Sequence, residues 1–182
     1  MSASALPRMT ADQFLAWATE QPDAKHYELV AGEIVAMAPE RVGHLRAKMR
    51  VTQRLTEAIA RAGLPCEAFI HGVIVQVDHA TIYEPDAMVR CGPPLGDDTI
   101  KVTDPMIVVE VLSPSTSGVD TGTKLIDYFR IPLVRHYLIV RAERRTIIHH
   151  ARNEAGDIST RIVSDGVLSL DPPCIELRDL FT

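Results

Sequence analysis

The apolar and polar positions of the first forty residues predict a short helix followed by a hairpin. Thr10 and Gln13 have the spacing of a capping box, which predicts a helix through Trp17. Residues 27–30 and 33–37 are short runs on either side of Ala-Gly, a dipeptide that suits a tight turn. We therefore expect an N-terminal helix and a β-hairpin.

A long helix is predicted next, over residues 44–62. Its apolar side chains recur every three or four positions, and Gly63 is typical of the residue that ends a helix. The apolar positions are Leu45, Met49, Leu55, Ile59 and Ala62. This spacing indicates one face turned towards a core.

Beyond Gly63 the pattern becomes that of strands. Alternating β-branched residues predict a strand over 69–77, a second short strand at 85–90 and a third at 105–112. The third run is apolar on both faces apart from Glu110, as expected of a central, buried strand.

A further helix is predicted to begin at the cap residue Asp120 and to end before Pro132. Leu125, Ile126 and Phe129 are expected on its inner side. Further strands are predicted at 136–140, 146–150, 158–163 and near Ile175.

The order helix, three strands, helix, strand predicts an α/β fold, to which the N-terminal helix and hairpin and the C-terminal strands are additions. Neither an internal repeat nor a linker interrupts the sequence. We therefore expect a single domain over residues 1–182.

Charge argues against a generic basic nucleic-acid binder, because the 182 residues carry a net charge of −5. The distribution is uneven. Residues 44–62 carry +4 and residues 130–152 carry +5, so the rest of the chain carries −14. Charge alone favours two solvated faces on an acidic domain.

The composition indicates a cytoplasmic protein without a membrane span. No run approaches the roughly 18 apolar residues of a transmembrane helix, and the first ten residues lack the apolar region of a signal peptide. Cys66, Cys91 and Cys174 are odd in number and far apart, so we expect neither a disulfide framework nor a zinc knuckle.

Two acids stand where packing alone would not place them. Glu110 interrupts an apolar strand, and Asp86 follows Pro85 at the start of another. Carboxylates that converge from adjacent strands repel each other, and Mg²⁺ relieves that repulsion. The alternative is structural: Glu110 pairs with an arginine, and Asp86 caps a turn.

Lysine is scarce, since the chain has only four. Lys124 lies one turn into the helix that follows the Glu110 strand, close enough to point back at that carboxylate. The alternative is a helical ion pair with Asp120, which stabilises a helix by only a few tenths of a kcal/mol.

These residues resemble a known family. Pro85-Asp86 followed by Glu110-Val111-Leu112 on the third strand is similar to the PD-(D/E)XK nuclease superfamily. Over residues 10–180 the chain more narrowly resembles the Uma family of putative restriction endonucleases. The matching segments are Tyr27-Glu-Leu-Val-Ala-Gly-Glu33, Pro85-Asp86, Val109-Glu-Val-Leu-Ser-Pro-Ser-Thr116, Asp120, Lys124 and Tyr128.

The resemblance implies a restriction-endonuclease-like core. It also implies that Asp86 and Glu110 are metal ligands, with the carbonyl of Val111 as a third. Leu112 stands where the superfamily has its lysine, and Lys124 fits the role of a lysine displaced onto the following helix.

The family's Tyr-Glu-Leu element implies that Glu28 is a further acid of the site, although a strand-edge carboxylate in the hairpin is an equal alternative. His44 matches a histidine that often opens the family's helix. We favour a structural role for it, with local hydrogen bonds.

The leading hypothesis is a Mg²⁺-dependent endonuclease that cleaves DNA, with Mn²⁺ as a substitute ion and a homodimer as the assembly. Arg46, Arg50 and Arg54 form one stripe of the long helix and are expected to contact the phosphate backbone. Two alternatives stay open. One is an interaction module that keeps the fold without catalysis, and the other is a hydrolase of a small phosphorylated substrate.

Overall fold

The computed structural model describes residues 8–21, 26–112, 121–164 and 166–181, and it has the predicted mixed α/β architecture. Three α-helices and thirteen strands lie in these ranges. The helices are α1 (Ala11–Ala18), α2 (Val42–Ala62) and α3 (Thr121–Tyr128). The strands before α3 are β1 (Tyr27–Val30), β2 (Glu33–Ala36), β3 (Cys66–Ile70), β4 (Ile74–Asp78), β5 (Thr81–Tyr83), β6 (Ala87–Cys91), β7 (Lys101–Val102) and β8 (Ile107–Val111). Those after it are β9 (His136–Arg141), β10 (Thr146–Arg152), β11 (Ile158–Val163), β12 (Leu168–Leu170) and β13 (Ile175–Leu177).

The central six-stranded sheet has the order β11-β10-β9-β8-β6-β3. Only β8 and β9 run parallel within it, and α3 connects them. A five-stranded sheet, β2-β1-β5-β4-β7, and the pair β12-β13 complete the strands of the described chain. The predicted succession of helix, three strands, helix and strand is present as α2, β3, β6, β8, α3 and β9.

The two faces of the central sheet support two separate apolar clusters. Alternate residues of β8 point to opposite faces, so Val109 packs in the cluster that contains Leu55 of α2, whereas Val108 packs with Tyr128 and Phe129 at the end of α3. The site therefore forms on a sheet that is covered on both faces, which is what a nearly continuous apolar strand requires.

Local signals at the helix ends are confirmed. Thr10 and Gln13 exchange the two hydrogen bonds of a capping box at the start of α1. Gly63 ends α2 in the left-handed conformation, with φ of 62°. The cap expected at Asp120 lies outside the described residues.

The prediction of one strand over residues 69–77 is wrong, because the chain turns at His71 and Gly72 and forms two strands. Gly72 has φ of 105°, a conformation that a residue with a Cβ rarely adopts. The two halves join different sheets: β3 pairs with β6, and β4 pairs with β5. Alternation alone does not reveal the sheet to which a strand belongs.

Three residues expected on inner helix faces are exposed instead. Leu45 and Met49 of α2 are 39% and 56% exposed, and Ile126 of α3 is 68% exposed. The inner faces carry lysines in addition to apolar residues, because Lys48 and Lys124 are both buried. These two side chains bring charge into the interior beside the sheet.

The expectation that the cysteines form no disulfide is also wrong. Cys66 and Cys91 lie opposite each other in the β3–β6 pairing and are disulfide-bonded, whereas Cys174 is free and exposed. Their separation of 25 residues in the sequence hides this register. As for membranes, none of the helices in the described ranges combines the length and the apolar character that a span requires.

Candidate active site

The two predicted acids face each other across adjacent strands. Ala87 of β6 pairs with Val109 of β8 in antiparallel register, so the next pair of positions along these strands is Asp86 and Glu110. Both belong to the face of the sheet on which Val108 packs with Tyr128 and Phe129 at the end of α3. The structure thus brings the two carboxylates to one end of the sheet, as the neighbouring strand positions predict.

Asp86 is buried among positive and hydrogen-bonding groups. Its carboxylate lies 2.5 Å from the Lys48 ammonium and 3.6 Å from the His44 ring, and it accepts the Val111 amide N–H at 2.6 Å. Burial alone would raise the pKa of Asp86, but these contacts hold it below its ordinary value. Asp86 is therefore an ionised carboxylate rather than the turn cap of the structural alternative.

Glu110 is in a less favourable position for a negative charge. Its carboxylate accepts hydrogen bonds from the Lys124 ammonium at 3.1 Å and from the Tyr128 hydroxyl at 2.8 Å. Burial, with repulsion from the carboxylates of Asp86 and Glu28, raises the pKa of Glu110 to about 7, although Lys124 opposes the shift. Its partner is therefore a lysine and not the arginine of the structural alternative.

Lys124 links two acids. Its ammonium donates to Glu28 at 2.8 Å and to Glu110 at 3.1 Å. Burial alone would lower the pKa of Lys124, but the two carboxylates raise it above its ordinary value. The side chain therefore stays charged. The competing pair with Asp120 lies outside the described residues.

Glu28 also belongs to this cluster. Strand β1 lies between β2 and β5 in its sheet, so Glu28 is not on an edge strand, and its side chain is buried. Besides Lys124, its carboxylate accepts the amide N–H of Glu84 at 3.1 Å. The structure thus favours the site position of Glu28 over the strand-edge alternative, while its catalytic role stays a prediction.

Sequence reasoning missed Lys48 and Glu40 as parts of the site, and it named Tyr128 only as a match to the family. The Lys48 ammonium contacts Glu40 as well as Asp86, and the Tyr128 hydroxyl contacts Glu110. One signal was available for the first, since Lys48 precedes Val51 by three positions and so shares the apolar face of α2. A lysine on a buried helix face needs a buried acid.

Asp86, Glu110 and Lys124 line a cavity of about 320 Å³. One wall consists of β2 and the segment that leads into α2, and the opposite wall consists of the end of β8 and the start of α3. The lining includes Glu40, Arg41, His44, Asp86, Glu110, Val111 and Lys124. A substrate that enters the cavity therefore meets carboxylates, an imidazole and an ammonium group.

The donor atoms fit a divalent cation. Ligand atoms of Glu40, His44 and Asp86 lie within 4.8 Å of one another. The Nδ1 atom of His44 is buried without a hydrogen-bond partner among the described residues. Its Nε2 atom lies 3.9 Å from Glu40, four positions earlier, and 3.6 Å from Asp86, and the structural role favoured for this residue stays a prediction. Carboxylates suit Mg²⁺ and Mn²⁺, whereas an imidazole is a common ligand of transition-metal ions such as Zn²⁺ and Fe²⁺. Val111 also lines the cavity, and the role of its carbonyl as a ligand stays a prediction.

The predicted arginine stripe is only partly exposed. Arg46 and Arg50 lie on the exposed side of α2. Arg54 is half-buried, with a hydrogen bond to Glu57 at 2.9 Å and another to the Asp179 carbonyl at 3.3 Å. Contact with nucleic acid stays a prediction for all three arginines, and Arg54 would have to leave these partners.

Two bacterial proteins resemble this chain in sequence. The uncharacterized protein slr1290 of Synechocystis sp. is 30% identical over 152 residues, which cover 83% of this chain and 78% of that protein. The uncharacterized protein sll1609 of the same organism is 28% identical over 135 residues, 72% of this chain and 74% of that protein. The likeness extends over most of each sequence.

A solved structure shows the fold of this chain, and a family model shows its family. The crystal structure of a "putative nuclease belonging to DUF820" from Anabaena variabilis has a TM-score of 0.74 to this chain, at 16% identity over 95% of this chain and 97% of that one. This likeness confirms the predicted restriction-endonuclease-like fold. The sequence model of Uma2, described as "Putative restriction endonuclease", matches residues 11–178. The chain therefore belongs to the Uma2 family, as its motifs predict.

Proposed function

We propose that this chain is a divalent-metal-dependent endonuclease that hydrolyses phosphodiester bonds of DNA. The observation that carries the proposal is the meeting of Asp86, Glu110 and Lys124 at one cavity, each from a different element of the central sheet or its connecting helix. Two acids beside a lysine are the groups that metal-assisted phosphoryl chemistry needs. Membership of a family described as "Putative restriction endonuclease" supports the same reaction.

Each residue has a defined task in this proposal. Asp86, Glu110 and the Val111 carbonyl would hold Mg²⁺ or Mn²⁺, which would supply Lewis-acid polarisation of the scissile phosphate. The Lys124 ammonium orients the attacking water and stabilises the negative charge that develops on the phosphate. Because Glu28 also accepts a hydrogen bond from Lys124, the ammonium would keep a buried partner when Glu110 binds the metal ion.

The DNA is proposed to approach along the start of α2. Arg41 is exposed at the cavity wall, and Arg46 and Arg50 continue along the exposed side of the helix. Exposed guanidinium groups bind phosphates without reading the bases, which gives affinity that falls with added salt. This local positive surface offsets the overall acidity of the chain. The homodimer stays a prediction.

One observation favours the second candidate function, an interaction module without catalysis. Both metal-binding acids already have a lysine partner, Lys48 at Asp86 and Lys124 at Glu110. Such pairs satisfy buried carboxylates without an ion. The two functions differ in whether metal binds and whether DNA is cleaved.

Nicking of supercoiled plasmid tests the proposed function. We expect wild-type protein with Mg²⁺ or Mn²⁺ to convert supercoiled DNA into open circles, EDTA to stop the reaction, and Asp86→Asn to be inactive because it loses a metal-binding charge. The measurement is agarose electrophoresis at low salt. Absence of metal-dependent cleavage on DNA and RNA by the folded wild-type protein would favour the interaction module.

The charge balance around Glu110 gives a second prediction, on stability. Its pKa is about 7 in the folded protein against an ordinary 4.5, so the folded state binds the proton more tightly, and stability is lost as pH rises from 4.5 to 7. Glutamine does not ionise, so the Glu110→Gln variant does not lose this stability as pH rises. The hydrogen bond from Lys124 to Glu28 remains in the variant. We expect the variant to match wild type near pH 4 and to be more stable by about 1–3 kcal/mol at pH 8.

Urea unfolding of both proteins across pH 4–8, with and without Mn²⁺, measures this difference. The exposed Glu143→Gln is the matched control and should show no pH-dependent gain. The variant should also lose the stabilisation by Mn²⁺. A structural ion pair predicts the reverse, a cost of about 3–5 kcal/mol for Glu110→Gln at neutral pH.

The third prediction concerns the ammonium at Lys124. If it acts on the water and the transition state, Lys124→Ala should lower the nicking rate at least about 100-fold. Metal binding should remain largely intact. Lys124→Arg should restore folding but little activity, because a planar fork does not replace a compact ammonium.

The control for Lys124 is Lys101→Ala, which removes a lysine from β7, outside the cavity lining of the described chain. Rates are measured below the melting temperature of each variant, since Lys124→Ala leaves Glu28 and Glu110 without their shared cation. Wild-type nicking by folded Lys124→Ala would show that the lysine has only a structural role.

A further inference from the structure

Lys48 is buried against the acid that we propose as a metal ligand. Its side chain is 1% exposed, and its ammonium lies 2.5 Å from the Asp86 carboxylate while also contacting Glu40. Lys48 comes from α2, whereas Asp86 precedes β6, so the contact joins the helix to the sheet at the cavity.

Packing does not explain this lysine. The buried face of α2 around it consists of Ala47, Val51 and Leu55, and an apolar side chain of similar length fits such a face without desolvating a charge. A buried ammonium costs several kcal/mol unless carboxylates compensate it. What Lys48 supplies is therefore positive charge at Asp86 and Glu40.

That charge occupies a cation position. Ligand atoms of Glu40, His44 and Asp86 lie within 4.8 Å of one another, and two of these residues hold the Lys48 ammonium. A divalent ion on the Lys48-bound oxygen of Asp86 would lie next to the ammonium. Two cations on one buried carboxylate oxygen repel strongly, so simultaneous occupancy is unfavourable.

We propose that Lys48 is a built-in competitor for the metal: its ammonium fills the cation position between Glu40 and Asp86 in the metal-free protein, and a divalent ion that binds Asp86 displaces it. This inference rests on the proposed function, because it requires Asp86 to be a metal ligand. It gives the chain a charge-compensated apo state and a metal affinity lower than its acids alone would produce.

Direct observation of the lysine ammonium groups tests the displacement in the wild-type protein. With ¹⁵N-labelled lysine, the buried and doubly bonded Lys48 ammonium should give a slowly exchanging NMR signal, which Lys48→Arg assigns by its loss. Saturating Mg²⁺ should abolish or shift this signal. A Lys48 signal that does not change at saturation would overturn the inference.

Metal affinity tests the competition independently. Calorimetry with Mn²⁺ compares wild type, Lys48→Met and the control Lys101→Met, after circular dichroism has verified folding. Removal of the competitor should tighten Mn²⁺ binding roughly tenfold, the size of an ordinary coupling between two ligands, while the control matches wild type. Unchanged or weaker binding by folded Lys48→Met would count against the inference, and the NMR arm does not depend on the folding of that variant.

The outcomes separate this inference from the proposed function. A Lys48 ammonium signal that is lost or shifted on metal binding, in a protein that cleaves no nucleic acid, supports the inference and contradicts the nuclease function. Metal-dependent nicking without any change at Lys48 supports the nuclease and overturns the inference. Failure of both wild type and Lys48→Met to bind Mn²⁺ overturns both.

Discussion

Mutual neutralisation of buried charges is the interaction on which this site depends. Asp86 and Glu28 are buried, the Glu110 side chain is 12% exposed, and two lysines approach these acids from separate helices. Ionised carboxylates placed so close in an apolar interior are costly unless cations accompany them. Lys48 and Lys124 each bridge two carboxylates, which makes the arrangement tolerable without a metal.

The fold explains why the acids meet. The pairing of β6 with β8 sets Asp86 opposite Glu110, and the parallel pairing of β8 with β9 requires a crossover, which α3 supplies along with Lys124. The apolar residues of β8 are buried on both faces of the sheet. The charged groups beside them are therefore poorly solvated. The pKa of Asp86 is lowered and that of Glu110 is raised, because the two carboxylates have different partners. Such perturbed acids at a cavity are typical of functional sites.

Features determined by near neighbours in the sequence could be predicted. The capping box at Thr10, the end of α2 at Gly63 and the order of the core elements all depend on local conformational preferences. The nearness of Lys124 to Glu110 was also predictable, because Lys124 lies in the first turn of the helix that follows the Glu110 strand.

Features that depend on distant pairing could not be read in this way. Nothing local shows that Cys66 and Cys91 lie opposite each other, or that residues 69–77 divide between two sheets. The contact of Lys48 with Asp86 likewise requires the placement of α2 against the sheet, which the spacing of residues along one helix does not contain.

The proposed function depends on a divalent ion bound by Asp86 and Glu110 together. Anomalous diffraction from crystals soaked in Mn²⁺ tests it most directly. We expect one strong peak within about 2.5 Å of a carboxylate oxygen of both Asp86 and Glu110, with the Lys48 ammonium moved away from Asp86. No peak in this cavity at saturating Mn²⁺, with both lysine–carboxylate pairs intact, would contradict it.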